Sequence, residues 1–110
     1  MKIVSSLMVA CGLMTASFAY AAVDADAAQA LMKKSDCFKC HAIDKKKDGP
    51  SYKEVAKKYK GKADAEKKLT DHVTLEPMIE IDGQKEKHKA IKSKDPAEIK
   101  TVVQWILSLD

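Results

Sequence analysis

Cys37-Phe38-Lys39-Cys40-His41 is the stretch on which the fold turns. Two thiols three positions apart can reach the two vinyl groups of one porphyrin, and the adjacent imidazole can ligate its iron from one face. The C-x-x-C-H run therefore reads as a covalent haem c attachment site, with Cys37 and Cys40 as thioether donors and His41 as the proximal iron ligand. Two other readings compete. A thioredoxin-like dithiol needs a βαβ setting, and nothing before Cys37 reads as a strand. A structural zinc site needs further ligands from His41, His72 or His88, and the H-x-x-x-H pair that closes a regular finger is absent.

Upstream, Met1-Lys2 is a short positive segment, Ile3 to Phe18 is apolar, and Ala19-Tyr20-Ala21 is an A-x-A cleavage site. Residues 1–21 are therefore expected to be a signal peptide that is removed on export, which puts the mature chain in the periplasm. The apolar run is too short for a comfortable membrane span, and Asp24 and Asp26 follow it at once. No span is expected in the mature protein. Cys11 is an indifferent lipoprotein site, because the apolar run continues beyond it.

Residues 22–110 leave about 89 residues, enough for one domain with a small core. A chain of that size usually needs a staple, and a covalent haem is one. Thioethers also consume Cys37 and Cys40, which removes the disulfide reading that export would otherwise invite.

There are no arginines, and charge is uneven. Residues 33–68 carry 13 Lys against 6 acids, net +7, whereas residues 69–110 carry 6 Lys against 8 acids, net −2. So many lysines make a solvated surface in any case. Those flanking the motif (Lys33, Lys34, Lys39 and Lys45 to Lys47) would also ring an exposed haem edge and steer acidic redox proteins toward it. Export, the missing arginine and the absence of a recognition motif argue against nucleic acid.

Helical signals occur in four places. Residues 26–34 place Ala27, Ala28, Leu31 and Met32 at helical spacing. After the Gly49-Pro50 turn, Ser51 to Glu54 is a capping box opening a helix with Tyr52, Val55, Ala56 and Tyr59 on one face, and Gly61 ends it. A third helix starts at about Asp64, with Ala65, Leu69, His72 and Val73 in register. The fourth is capped by Asp95, with Pro96 at its first position and Glu98 completing the box, and its stripe is Ile99, Val102, Val103, Ile106 and Leu107. Met78 to Asp82 alternates before Asp82-Gly83, but one weak segment makes no sheet.

This order, with Trp105 in the last helix, resembles the small class I cytochromes c of bacteria, most closely from Cys37 to about Leu69. The resemblance implies an all-α fold of about four short helices packed around one covalently attached haem, with the first and last helices crossing beside it. It also implies that the Pro50 carbonyl accepts a hydrogen bond from the His41 ring. From the residues alone, Gly49 allows a tight turn and Pro50 braces it.

The sixth iron ligand departs from the family, which uses a Met shortly before the last helix. Met78, in Glu76-Pro77-Met78, lies 37 residues after His41 and 17 before Asp95, whereas His88 lies 47 after His41 and 7 before Asp95. His88 is the expected distal ligand and Met78 the alternative, with an open iron a third possibility. His72 is expected to face a propionate or solvent.

No nucleophile with a base, paired carboxylates or phosphate loop argues for an enzyme. The expected function is a monomeric one-electron carrier serving redox proteins, of low potential if bis-histidine ligated. The alternative is a binder or sensor of NO or CO with a labile distal ligand. Covalent attachment has a direct check. Haem should stay with the polypeptide through denaturation and acid-acetone extraction, and replacing Cys37 or Cys40 should leave little holoprotein; haem released into the acetone phase would contradict the assignment.

Overall fold

The computed structural model describes Gly12 and residues 23–110, so the expected leader lies almost wholly outside the described residues. The described residues form helices α1 (Ala25–Lys34), α2 (Cys37–Cys40), α3 (Tyr52–Tyr59), α4 (Ala65–Thr74) and α5 (Pro96–Leu107), with strands β1 (Met78–Ile81) and β2 (Gln84–Lys87) between α4 and α5. Helices this short are marginal in isolation, so their stability comes from the faces they bury.

Each helix starts where a side chain satisfies its free N–H groups. Asp24 Oδ1 accepts from the Ala27 N–H at 3.0 Å, Ser51 Oγ from Glu54 N–H at 3.1 Å, and Asp95 Oδ1 from Ala97 N–H at 2.9 Å. The reciprocal arm expected of Glu98 is rerouted. Glu98 Oε2 accepts from the Ser93 hydroxyl at 2.5 Å, and Ser93 Oγ in turn accepts from the Asp95 N–H at 3.1 Å. A serine two residues before the cap thus relays the contact. At the other end of α3, Gly61 takes a left-handed φ of 73°, which a side chain would strain.

Among the described residues the core is a single cluster. α1 contributes Ala28 and Met32, α3 Tyr52, and α4 Leu69, all against Ile99, Val102, Val103, Trp105 and Ile106 of α5, with Ile91 closing one side. Met32, Val102 and Val103 are buried completely or nearly so. Leu107, expected in the α5 stripe, is only half-buried, and Trp105 is buried in addition. α1 packs chiefly on α5, and α3 and α4 flank α5.

The architecture is all-α as expected, with α2 a single turn and a small hairpin added. β1 and β2 pair antiparallel, Met78 with Lys87 through Ile81 with Gln84, which leaves Asp82-Gly83 as a two-residue loop. Both loop residues have positive φ, 51° and 78°. That is the type I′ pattern, which Asp-Gly favours because its twist matches the strands. The sequence reading allowed no sheet here because β2 is Gln84-Lys85-Glu86-Lys87, exposed throughout, and carries no apolar alternation. An isolated hairpin is marginal, and this one is tethered at its exit. The His88 N–H donates to Pro77 O and the Ile91 N–H to Val73 O, each at 2.8 Å.

Candidate haem site

α2 is one helical turn, so Cys37 and Cys40 share a face, both half-buried and both free thiols. Its entry depends on Asp36, whose φ of 63° is left-handed, a conformation that Asp tolerates better than most residues. Burial pushes the Cys37 thiol up, and contact with the Tyr52 hydroxyl works against that rise. Burial likewise raises the Tyr52 hydroxyl well above its ordinary range.

His41 ends the turn in an extended conformation, its N–H donating to Cys37 O at 3.0 Å. The ring Nδ1 lies 2.7 Å from Pro50 O. A carbonyl can only accept, so Nδ1 carries the proton and Nε2 is left as a bare donor atom. Gly49 makes this possible. A Cβ there would collide with His41 Cε1 and lie within 2.8 Å of Nδ1. The glycine is needed for close approach of the imidazole as well as for the turn. The loop is tied to the motif by Gly49 N–H to Cys40 O at 2.8 Å and Tyr52 N–H to Ala42 O at 3.0 Å. Tyr52 stacks on His41 with centroids 4.9 Å apart and planes at 29°, and it meets Phe38 and Trp105 edge-on. The sequence placed Tyr52 only on a helix face; its place beside the imidazole is set by the loop.

Across from His41, the His88 ring stands with its centroid 6.2 Å away and its plane tilted by 48°. Its segment is pinned on three sides: the two backbone bonds of the hairpin exit, and the Lys92 N–H donating to Ser35 Oγ at 2.9 Å. Ser35 is buried and joins the end of α1 to the far side of the site, a link between residues 57 apart that nothing local in the sequence signals. His88 Nδ1 is buried without a hydrogen-bond partner. Burial, then the neighbouring His72 and His41, lowers the pKa of His88, so the folded chain favours the neutral ring, the form that ligates metal. His72 is the neighbour, its ring centroid 4.3 Å from that of His88. Met78 goes elsewhere, 59% exposed at the start of β1.

The basic residues around the motif divide into two groups. Asp36 lies 3.5 Å from Lys39 and 3.9 Å from both Lys89 and Lys92, while Lys47 Nζ donates to Phe38 O at 2.8 Å. Among the described residues, Lys33, Lys34, Lys45 and Lys46 have no carboxylate within salt-bridge distance.

Residues 25–110 match the family model described as Cytochrome c. The chain belongs to the cytochrome c family, as a small class I c-type cytochrome. Cytochrome c-551 of Azotobacter vinelandii is 38% identical over 81 residues, spanning 71% of this chain and 92% of that protein. A shorter match, 47% identical over 45 residues, spans 41% of this chain and 43% of cytochrome c-551 of Pseudomonas aeruginosa. The crystal structure of the class 1 cytochrome MtoD from Sideroxydans lithotrophicus ES-1 superposes with a TM-score of 0.77 at 58% identity, covering 80% of this chain and 98% of that one. Cytochrome c552 of Nitrosomonas europaea gives 0.59 at 28% identity, covering 74% and 99%. Membership brings a haem c held covalently through C-x-x-C-H and a role in carrying electrons.

Gly49→Ala tests the contact with His41. The new methyl must move the ring or the loop, so denaturant titration of the holoprotein should show a loss of about 1–3 kcal/mol, together with a perturbed haem spectrum; unchanged stability and spectrum would show that the ring has room.

Proposed function

We propose that residues 22–110, freed of a signal peptide at 1–21, form a periplasmic one-electron carrier with haem bound through Cys37 and Cys40 and ligated by His41 and His88. One observation carries the distal assignment: the facing imidazoles of His41 and His88, 6.2 Å apart between centroids. Imidazole nitrogens bond first-row metals at roughly 2 Å, so two rings on opposite sides of one ion have centroids about 6 Å apart. Met78, exposed on the hairpin, offers no such arrangement.

The bound haem supplies a single electron step between Fe(III) and Fe(II). The chain's residues set its terms. The Pro50 carbonyl accepts the Nδ1 proton of His41, which fixes the tautomer and leaves Nε2 free to bind the iron. His88, which burial keeps neutral, would be the second residue to hold the iron and would leave substrates no open coordination position. A second imidazole in place of methionine favours a lower reduction potential, suited to accepting electrons from reducing donors. The unpartnered Nδ1 of His88 is the observation that favours the alternative, a small-ligand binder whose distal imidazole yields to NO or CO.

Spectra of two variants separate these readings. Met78→Ala should leave the low-spin spectrum intact and the ferrous protein indifferent to CO, as in the parent, whereas His88→Ala should turn high-spin and bind CO. The reverse pattern would move the role to Met78, and a parent protein that binds CO readily would favour the sensor.

Partners follow from charge. The free lysines at 33, 34, 45 and 46 leave the motif's edge basic, which suits acidic redox proteins. Electron exchange with such a protein, followed by stopped flow, should slow severalfold as salt rises from roughly 0.01 to 0.15 M and the Debye length falls from about 30 to about 8 Å. Rates that stay flat would leave these lysines as solubility residues.

A further inference from the structure

His72 takes no part in haem attachment or in ligation as proposed, yet its ring rests on His88. The two centroids are 4.3 Å apart with planes tilted by 55°, within contact range for aromatic rings. The two candidate axial imidazoles also differ in how they are held. His41 Nδ1 is fixed by the Pro50 carbonyl at 2.7 Å, the usual device that sets the rotation of a ligating imidazole. His88 Nδ1 is buried and has no such partner. The backbone of His88 is pinned, through its N–H on Pro77 O at 2.8 Å, but that bond leaves the side-chain torsions free. Apart from a backbone contact at Lys89 that falls short of hydrogen-bond geometry, packing orients the ring.

His72 is well placed to do this. It lies in the last turn of α4, a helix anchored by buried Leu69 and by Val73 against the core. The carbonyl of Val73 also accepts the Ile91 N–H at 2.8 Å, so one helix turn fixes both His72 and the segment that carries His88.

We propose that His72 is a positioning residue for the distal ligand: its flat ring, packed on His88, sets the rotation of that imidazole and keeps it directed at the iron. The proposal rests on the assignment of His88 as distal ligand. Without the support of His72, the His88 ring samples other rotamers, and the iron is open to an external ligand for a larger fraction of the time. Apparent affinity for such a ligand rises with that fraction.

The test uses the full-length holoprotein with His72→Ala, His72→Phe and His88→Ala, read by ferric electron paramagnetic resonance and by CO titration of the ferrous form. The spread of low-spin g values reports the angle between the axial ring planes, 48° between His41 and His88 here. His72→Ala should change that spread and bring CO binding, absent in the parent, into view over the titration, and His72→Phe, which restores a flat ring, should return both toward parental behaviour. Because His72 is exposed, these substitutions open no core cavity. Should His72→Ala yield no holoprotein, His72→Leu supplies bulk without a flat ring and is compared with His72→Phe in the same way. A His72→Ala or His72→Leu protein that matches the parent in both measurements overturns the proposal, as does a His72→Phe protein that behaves like His72→Ala. If His88→Ala itself stays low-spin and refuses CO, the ligand assignment fails and the role of His72 fails with it.

Discussion

The 2.7 Å hydrogen bond from His41 Nδ1 to the Pro50 carbonyl is the constraint around which the site is arranged. It requires a chain reversal close enough to bring residue 50 back over residue 41, and that reversal requires a residue without a Cβ at position 49. It also delivers Ser51 and Tyr52 to the start of α3, where Ser51 caps the helix and Tyr52 stacks on the same imidazole before reaching Trp105 in the core. Local turn, helix start, ring tautomer and core packing are therefore one connected arrangement. A small domain gains from such economy, because helices of 8–12 residues have little stability apart from what they share.

The opposite side of the site is built differently. No single loop presents His88; backbone bonds to Pro77 and Val73 and the buried Ser35 hydroxyl fix the segment from three directions. The hairpin between α4 and this segment turns at Asp82-Gly83 and brings the chain back beside α4, where Ile91 N–H meets Val73 O and His88 meets His72. The candidate distal residue is thus located by tertiary contacts, and the candidate proximal one by contacts within about ten residues.

That contrast explains what could be read from the sequence. The C-x-x-C-H turn, the Gly-Pro reversal and the capped starts of α3 and α5 are local patterns, and each appears within a residue or two of its expected place. The hairpin escaped because β2 is polar on both faces and only Asp82-Gly83 marks it, a signal outweighed by the missing alternation. Glu98 met Ser93 instead of the Asp95 backbone because a hydroxyl two residues upstream was the nearer donor. Ser35, the His72–His88 contact and the left-handed Asp36 depend on how α1, α4 and the final loop pack, and no periodicity encodes them. His88 stood out only through its distance from the last helix.

The most direct measurement of the central claim, that two imidazoles from this chain face each other across the haem iron, is the optical spectrum of the ferric parent protein. Methionine ligation gives a weak charge-transfer band in the far red, and bis-imidazole ligation gives none there while keeping the low-spin Soret pattern. Ligation by His41 and His88 predicts a low-spin spectrum without that band; a clear far-red band would place a methionine on the iron and contradict it.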